Sequence, residues 1–289
     1  MPRPPAGPPR ADDVIRSRDN PLVRRLRALK ERGERGAAGL ALLEGARLVQ
    51  EALGANVEVV EVAASARFGR RPHEARLAEE LARRGVPLRR LDEHVMRSLS
   101  ELETSPGLLA MARRPRFEEE ALYRDVPLVV IAAGLQNPGN LGALLRSAEA
   151  AGATGAYLTE GTADPLSWKA LRGSMGTAFR LPHVRGLSAR TALERVRARG
   201  LQVVAADARG ALPYDELDLR AATAVLFGTE GSGLAAELAA AADRRVRIPM
   251  RPPVESLNVG VAAGVLLFEA ARQRRLPRPR SLAKPRTAS

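Results

Sequence analysis

Cysteine, long apolar runs and aromatic residues are scarce or missing in this chain of 289 residues. The chain has no cysteine, which excludes disulfides, thiolate metal sites and cysteine nucleophiles. No apolar run approaches the roughly 20 residues that a membrane-spanning helix needs, so no membrane partner is expected. The first residues, MPRPPAGPPR, lack the apolar core of a signal peptide, which predicts a cytoplasmic location. Aromatic residues make up only 3% of the chain, which disfavours a stacking platform for single-stranded nucleic acid.

Basic residues are in clear excess. The chain has 46 Lys and Arg residues against 33 Asp and Glu residues, a formal net charge of +13. Nearly all the basic residues are Arg, which together with abundant Ala is typical of a GC-rich genome. That bias explains the preference for Arg over Lys, but it does not explain the excess over acidic residues. The charge favours a nucleic-acid partner, because a protein that neutralises phosphates gains affinity by releasing counterions.

Composition and periodicity divide the chain into five parts. We expect residues 1–12 to be a disordered basic arm and residues 13–113 to be a small α/β domain. Residues 114–126 are charged and contain a proline, which is typical of a linker. Residues 127–275 have the pattern of a larger α/β domain, and residues 276–289 that of a disordered basic tail.

The first domain is predicted to begin with a basic helix. Asn20 can cap this helix, and Pro21 suits its first position. Leu22, Leu26 and Leu29 then repeat on one face, while basic residues cover the rest. The basic face is either an ordinary solvated surface or a stripe that faces phosphates, and the sequence leaves both open.

Strands and helices alternate through the rest of this domain. The pattern predicts strands at residues 40–45, 57–62, 86–91 and 108–112, with helices at residues 46–53 and 74–84. It contains no catalytic constellation. His73 and His94 lie far apart without matched partners, and we interpret both as surface or cap residues.

The second domain opens with PLVVIAA at residues 127–133, an apolar run of the kind found in buried parallel strands. Further strands are predicted at 156–159, 202–206, 224–228 and 246–249, and a final helix at 257–275. Three polar segments each follow a strand and open a helical pattern, at residues 134–146, 227–234 and 248–260. Strand-to-helix turns of an open α/β domain meet at one edge of its sheet, where ligands bind. This arrangement indicates an enzyme.

The first segment, GLQNPGNLGALLR, places Asn140 where a helix cap is expected. Helical side chains lean toward the N-terminus, so we expect Arg146 to reach back over the loop. An Arg and an Asn above a helix start form a good site for an anion or a ribose phosphate. The alternative is a capped helix with one surface Arg.

The second segment, FGTEGSGL, does not match the dinucleotide fingerprint, the nucleophile elbow or the Walker A loop. Its glycines allow the backbone to approach a ligand closely, and Glu230 offers one carboxylate. A tight turn with a capping Glu is the alternative. In the third segment, IPMRPPVESLNVG, Ser256 or Asn258 can cap the final helix. That loop is able to fold over an adenine or a sulfonium.

The three turns lack conventional acid–base machinery. His183 is the only histidine of the second domain, and we place it after a strand edge, away from all three segments. No His or acidic cluster has metal-site spacing, so no metal is expected. A reaction that needs little proton transfer fits best. Methyl transfer from S-adenosylmethionine is such a reaction, because its electrophile is already activated and positioning supplies most of the help.

The series QNPGNLGALLRSAEAAGATG, KALRGSMGTAFRLP, LFGTEGSGL and IPMRPPVESLNVGVAAGVLLFEA resembles the SpoU/TrmH family of RNA ribose 2′-O-methyltransferases, within the SPOUT superfamily. The first domain is similar to the RNA substrate-binding domain often attached to them. The resemblance implies a trefoil-knotted, parallel-sheet methyltransferase domain that works as a homodimer on structured RNA, with ribosomal RNA favoured over transfer RNA. A non-catalytic RNA-binding factor and a base-modifying enzyme are the alternatives.

The resemblance also implies a set of site residues. S-adenosylmethionine would bind in a bent shape on residues of the second and third segments, namely Phe227, Gly228, Gly233, Ile248, Met250 and Leu257. The catalytic residues that the resemblance implies are Asn140, Arg146, Glu230, Ser256 and Asn258. Arg146 is held in the family to activate the ribose hydroxyl. Because a guanidinium is a poor base, we expect it to orient the hydroxyl and the neighbouring phosphate.

Overall fold

The computed structural model describes residues 14–32, 39–100 and 105–275. The arm at residues 1–12 and the tail at residues 276–289 therefore lie outside the described residues. The described chain forms two α/β domains, each built on its own sheet. None of the described helices is long and apolar enough to cross a membrane.

The first domain contains a five-stranded sheet with the order β1-β4-β3-β5-β2. Strand β5 is antiparallel to both of its neighbours, and the other pairs are parallel. The strands are β1 (Val14–Ile15), β2 (Leu40–Glu44), β3 (Val59–Ser65), β4 (Leu88–Leu91) and β5 (Leu108–Arg113). The helices are α1 (Pro21–Arg32), α2 (Ala46–Gly54), α3 (Pro72–Arg83) and α4 (Glu93–Leu99).

The predicted start of α1 is confirmed. The Leu22 N–H donates to Asn20 Oδ1 at 2.9 Å, and the leucine stripe is buried, with Leu26 only 1% exposed. Strand β1 and helix α4 were not predicted. Strand β1 has only two residues, too few to show a period. Helix α4 begins after Asp92, whose side chain accepts the N–H of His94 at 2.9 Å.

The second domain contains seven parallel strands with the order β10-β12-β9-β11-β6-β7-β8. The parallel sheet expected from the sequence is thus confirmed, while the trefoil knot stays a prediction. The strands are β6 (Leu128–Ala132), β7 (Gly155–Thr159), β8 (His183–Leu187), β9 (Gln202–Ala206), β10 (Leu212–Pro213), β11 (Thr223–Phe227) and β12 (Arg244–Arg247). The helices are α5 (Pro138–Ala150), α6 (Trp168–Ser174), α7 (Ala189–Ala198), α8 (Ala236–Ala240) and α9 (Val259–Arg275). Three short 3-10 helices are Glu119–Tyr123, Thr177–Phe179 and Tyr214–Glu216.

The segment expected to be a linker packs on the second sheet. Leu122, in the first 3-10 helix, is fully buried, and a Cβ added at Gly155 of β7 would lie 2.4 Å from its Cγ. The hydroxyl of Tyr157 donates to Glu119 Oε1 at 2.6 Å. A second contact joins the hydroxyls of Tyr157 and Tyr123, also at 2.6 Å. Residues 119–123 therefore have a fixed place on the larger domain, although the domain boundaries themselves stay a prediction.

Helix α5 packs unusually close to α6 and α9. A Cβ added at Gly142 of α5 would lie 2.5 Å from the carbonyl oxygen of Ala170 and 2.8 Å from the Ser174 nitrogen, both in α6. At the start of α9, a Cβ added at Gly260 would lie 2.7 Å from the Cβ of Ala143. Only glycine allows the three backbones to approach this closely.

Polar contacts join the two domains. Glu44, at the end of β2, is 7% exposed, and one of its carboxylate oxygens accepts the indole N–H of Trp168 in α6 at 2.5 Å. Arg180 of the larger domain donates to Glu51 in α2 at 2.6 Å and to Glu149 in α5 at 2.6 Å. These contacts set the first domain against the helix layer that carries α5 and α6.

We expect Gly142→Ala to destabilise the protein by about 1–3 kcal/mol, because the new methyl group overlaps the α6 backbone. Gly54→Ala is the matched control, since a Cβ at Gly54 meets nothing within 4 Å; it should change stability by less than about 1 kcal/mol. Urea unfolding of both variants measures the difference. Equal effects of the two substitutions would contradict the proposed close packing.

Candidate active site

A cavity of about 970 Å³ opens where strands β9, β11 and β12 end, beside the first turns of α5 and α9. Its walls include all three segments singled out from the sequence. Of the predicted site residues, ten line this cavity: Asn140, Phe227, Gly228, Glu230, Gly233, Ile248, Met250, Ser256, Leu257 and Asn258. The eleventh, Arg146, does not.

The turn after β11 presents backbone to the cavity. The Thr229 and Gly233 backbones exchange two hydrogen bonds of 3.0 Å each, which fold the segment back on itself. Gly233 has a φ of +70°, which favours glycine. A Cβ added at Gly228 would lie 2.3 Å from the Gly233 carbonyl oxygen. This wall therefore tolerates no side chain at residue 228, and a ligand there would meet main-chain groups.

The assignment of Asn140 as the helix cap is wrong. The cap is Asn137, whose Oδ1 accepts the N–H groups of Gly139 at 2.8 Å and of Asn140 at 3.2 Å. Asn137 precedes Pro138, the same Asn-Pro pair that starts α1 at Asn20. Because Asn140 does not cap the helix, its side chain is available at the cavity.

Asn140 and Asn258 join the first and third segments. Asn258 Nδ2 donates to Asn140 Oδ1 at 2.9 Å. The Oδ1 of Asn258 accepts the N–H of Gly260 at 2.9 Å, so Asn258 also caps α9, as one of the two candidates from the sequence. Each amide is oriented by the other. Among the described residues, Asn140 Nδ2 has no hydrogen-bond partner, so it is a free donor on a residue that lines the cavity.

Arg146 lies away from the cavity of its own chain. It is exposed and follows Asn140 by six residues in α5, which rotates it about a third of a turn away and shifts it about 9 Å along the axis. The expectation that Arg146 reaches back over the loop is therefore wrong for this arrangement. Within the described part of the chain, its guanidinium has no hydrogen-bond or ion-pair partner.

Glu230 and Ser256 are exposed at the cavity. Among the described residues, neither side chain has a hydrogen-bond partner, so Glu230 does not cap its own turn. That leaves one carboxylate and one hydroxyl free to meet a substrate.

The last residue of β9 and the loop after it also line the cavity, through Ala206, Asp207, Ala208 and Arg209. Sequence reasoning predicted the strand but missed the loop. The signal was present, because every strand of a parallel sheet brings its carboxyl end to the same edge. The loop was missed because it carries none of the glycine-rich patterns that drew attention to the other three segments.

His183 is remote from this chemistry. It begins β8, three strands away from β11, which is about 14 Å across the sheet. Burial lowers the pKa of His183 to about 4, and the ring packs against Phe117 with centroids 5.0 Å apart. The position after a strand edge is wrong, since His183 is the first residue of the strand, but its separation from the three turns is confirmed. A neutral, buried imidazole at this place contributes packing.

Comparison with known proteins identifies the family. Residues 127–268 match the SpoU rRNA Methylase family, and residues 20–110 match the MRM3-like substrate binding domain. The chain is 34% identical over 275 residues to the 23S rRNA (adenosine(1067)-2′-O)-methyltransferase of Streptomyces laurentii, covering 93% of this chain and 98% of that protein. It is 32% identical over 254 residues to the 23S rRNA (guanosine(2553)-2′-O)-methyltransferase RlmP of Bacillus subtilis, covering 88% of this chain and 97% of that protein.

A solved structure supports the same family. An AdoMet-bound rRNA methyltransferase from Sinorhizobium meliloti superposes with a TM-score of 0.77 at 29% identity, covering 90% of this chain and 98% of that one. The chain belongs to the SpoU rRNA methylase family. It is an RNA 2′-O-methyltransferase that uses S-adenosylmethionine.

The cavity fits this cofactor. Its volume lies within the range of small-molecule sites, and its lining combines a backbone wall at Gly228 with apolar side chains such as Phe227 and Ile248. In the described residues, no group of three or more His, Asp or Glu side chains is placed to hold a metal ion. The expectation of a metal-free reaction stays a prediction.

Proposed function

We propose that this protein methylates a ribose 2′-hydroxyl of ribosomal RNA. The observation that carries the proposal is the cavity in which the Asn140–Asn258 pair stands beside the backbone wall of residues 228–233. Two relatives that match almost end to end are named for 23S rRNA, which supports ribosomal over transfer RNA. The net charge of +13 supports a large polyanionic substrate. A cytoplasmic location, where such RNA is found, is part of the proposal.

We assign the cofactor to the backbone and apolar part of the cavity. Gly228 and Gly233 would supply main-chain groups, and Ile248, Met250 and Leu257 apolar contacts, with Phe227 behind them. S-adenosylmethionine supplies a methyl group on a cationic sulfur, which is already activated for transfer. The chain therefore has to bind, orient and exclude water, and these contributions can supply much of a methyl-transfer rate.

The polar residues would orient the RNA. Asn140, held by Asn258, presents an amide donor, and Ser256 and Glu230 add a hydroxyl and a carboxylate at the same cavity. We propose that these groups fix the ribose, while Arg146 holds the reacting hydroxyl and its neighbouring phosphate. A guanidinium stays protonated at any working pH, which suits phosphate binding better than proton removal.

A second copy of the chain would complete the site. Helix α9 exposes an apolar stripe in which Val261 is 53% and Phe268 47% exposed, with Val265 between them on the same face. Helix geometry places Arg146 on the face of α5 between Gly142, which contacts α6, and Ala143, which contacts α9. We propose that two copies pack through this face of α9 and that Arg146 of one copy then serves the cavity of its partner. The proposal explains both the uncovered stripe and the distance of Arg146 from its own cavity.

The RNA class is tested by mapping 2′-O-methyl groups in total RNA from a deletion strain and its parent. We expect one ribosomal position to lose its methyl group and to regain it when the gene is restored. A chain with Asn140→Ala is the control that should not restore it. Loss confined to transfer RNA would contradict the ribosomal assignment.

Arg146→Ala should lower turnover by at least a hundredfold while changing the Kd for S-adenosylmethionine less than twofold. Lys should rescue poorly, because it lacks the planar fork. Arg190→Ala is the matched control, since that side chain is 89% exposed on another helix. Single-turnover assays and calorimetry separate the two effects. An equal loss of affinity and turnover would make the role of Arg146 structural.

The dimer is tested by Phe268→Asp, which should yield monomers in sedimentation, because an aspartate cannot be buried unpaired at the interface. Val126→Asp, at a residue that is 49% exposed outside α9, should leave the dimer intact. Mixing Arg146→Ala with Asn258→Ala chains should restore activity, since one site of the mixed dimer then has both residues. No recovery in a mixture shown to contain mixed dimers would place Arg146 in its own cavity.

A further inference from the structure

The fourth wall of the cavity is held in place by side chains outside the three segments. The 206–210 loop follows β9 and lines the cavity with Asp207 and Arg209. Asp207 Oδ1 accepts the N–H of Arg209 at 2.9 Å, which closes a tight turn. Its backbone N–H donates to the carbonyl of Val246 in β12 at 2.9 Å, so the turn lies directly against that strand.

Two arginines of strand β12 form hydrogen bonds to this loop. Arg245 donates to Asp207 Oδ2 through Nη2 at 2.6 Å and Nε at 3.1 Å. Arg247 Nη1 donates to the carbonyl of Gly210 at 2.9 Å and also to that of Ala211. A Cβ added at Gly210 would lie 2.7 Å from the carbonyl carbon of Val246. Loop and strand therefore touch backbone to backbone.

The carboxylate of the Asp207–Arg245 ion pair is largely shielded from solvent. The Asp207 side chain is 10% exposed, whereas that of Arg245 is 43% exposed. Burial alone would raise the pKa of Asp207, but hydrogen bonds from the Arg209 N–H and the Arg245 guanidinium outweigh it, so the pKa lies below its usual value. The carboxylate is ionised at neutral pH and has several donors around it, which is the condition for a strong charge-assisted contact.

We propose that Asp207 and Arg245 are positioning residues for S-adenosylmethionine: their ion pair fixes the 206–210 loop as the fourth wall of the cavity. Strand β12 continues directly into the 248–258 segment, which forms another wall of the same cavity. The pair thus sets the distance between two walls that a ligand must touch together. This inference rests on the proposed function, because it assigns the cavity to the methyl donor.

Asp207→Asn tests the pair with little change of shape. An asparagine oxygen can still accept the Arg209 N–H, but the charge that holds Arg245 is lost. We expect the Kd for S-adenosylmethionine in calorimetry to rise about tenfold, with RNA affinity unchanged. Asp218→Asn is the matched control. Asp218 Oδ1 accepts the N–H and the Nε of Arg220, both at 2.9 Å, yet this second Asp–Arg turn does not line the cavity.

Arg245→Gln should raise the Kd for S-adenosylmethionine to a similar degree. The double variant Asp207→Asn/Arg245→Gln should lose no more affinity than either single variant, because both substitutions remove the same contact. Arg245→Lys keeps the charge but lacks the planar guanidinium. Its Kd for S-adenosylmethionine should therefore lie between those of wild type and Arg245→Gln. It also provides the test if Asp207→Asn fails to fold. Full additivity of the two single losses would show that the residues act separately and would overturn the proposal.

A second readout needs no cofactor. Without S-adenosylmethionine, amide hydrogen exchange at residues 207–211 should be faster in Asp207→Asn than in wild type or Asp218→Asn. Exchange in the 229–233 turn should be the same in all three proteins. The inference would be overturned if exchange at residues 207–211 is unchanged in folded Asp207→Asn, or if its Kd for S-adenosylmethionine is within twofold of the wild-type value. A wild-type chain that does not bind S-adenosylmethionine would instead refute the proposed function, while the exchange measurement still decides whether the pair holds the loop.

Discussion

The close approach of three helix backbones is the constraint on which the site depends. Gly142 lets α5 lie against α6, and Gly260 lets the start of α9 lie against Ala143 of α5. That second contact brings the first turns of α5 and α9 together, which is why Asn140 and Asn258 are within hydrogen-bonding distance. A larger residue at Gly260 would separate the starts of α5 and α9, which come from segments more than a hundred residues apart in the chain, and one at Gly142 would push α5 away from α6. The cavity is therefore defined by packing as much as by its polar groups.

The chemistry of the site follows from what surrounds it. The only histidine of the larger domain is buried at the start of the edge strand β8, with its pKa lowered to about 4. The side chains that line the cavity offer amides, hydroxyls, carboxylates and the guanidinium of Arg209, beside main-chain groups. Such groups bind and orient, and they transfer protons poorly near neutral pH. This composition suits a methyl donor that already carries its own activation. With few groups at the cavity that transfer protons, specificity depends mainly on how the RNA is bound and oriented.

Much of the fold was predictable from the sequence, because apolar runs mark buried parallel strands and proline or asparagine marks helix starts. The three segments at the sheet edge were found in this way, and the resemblance to a known family supplied the expected roles of their residues. The errors have local causes. Asn137 and Asn140 both precede an apolar stripe, and only Pro138 distinguishes the cap. The direction of Arg146 was judged from its neighbours in sequence, whereas helix rotation carries it away from Asn140. Asp207 was missed because its partner, Arg245, lies on another strand, and no periodicity records that pairing.

The joint between the domains has an experimental consequence. The chain contains a single tryptophan, and that residue, Trp168, donates its indole N–H to the buried Glu44 of the first domain. The guanidinium of Arg172 lies 4.9 Å from the centre of the same ring. Indole emission shifts with the polarity and charge of its surroundings, so the tryptophan fluorescence of the unlabelled enzyme, excited apart from its three tyrosines, comes from this one boundary. A change of domain placement that breaks the Trp168–Glu44 contact would be visible as a spectral shift, without an engineered label.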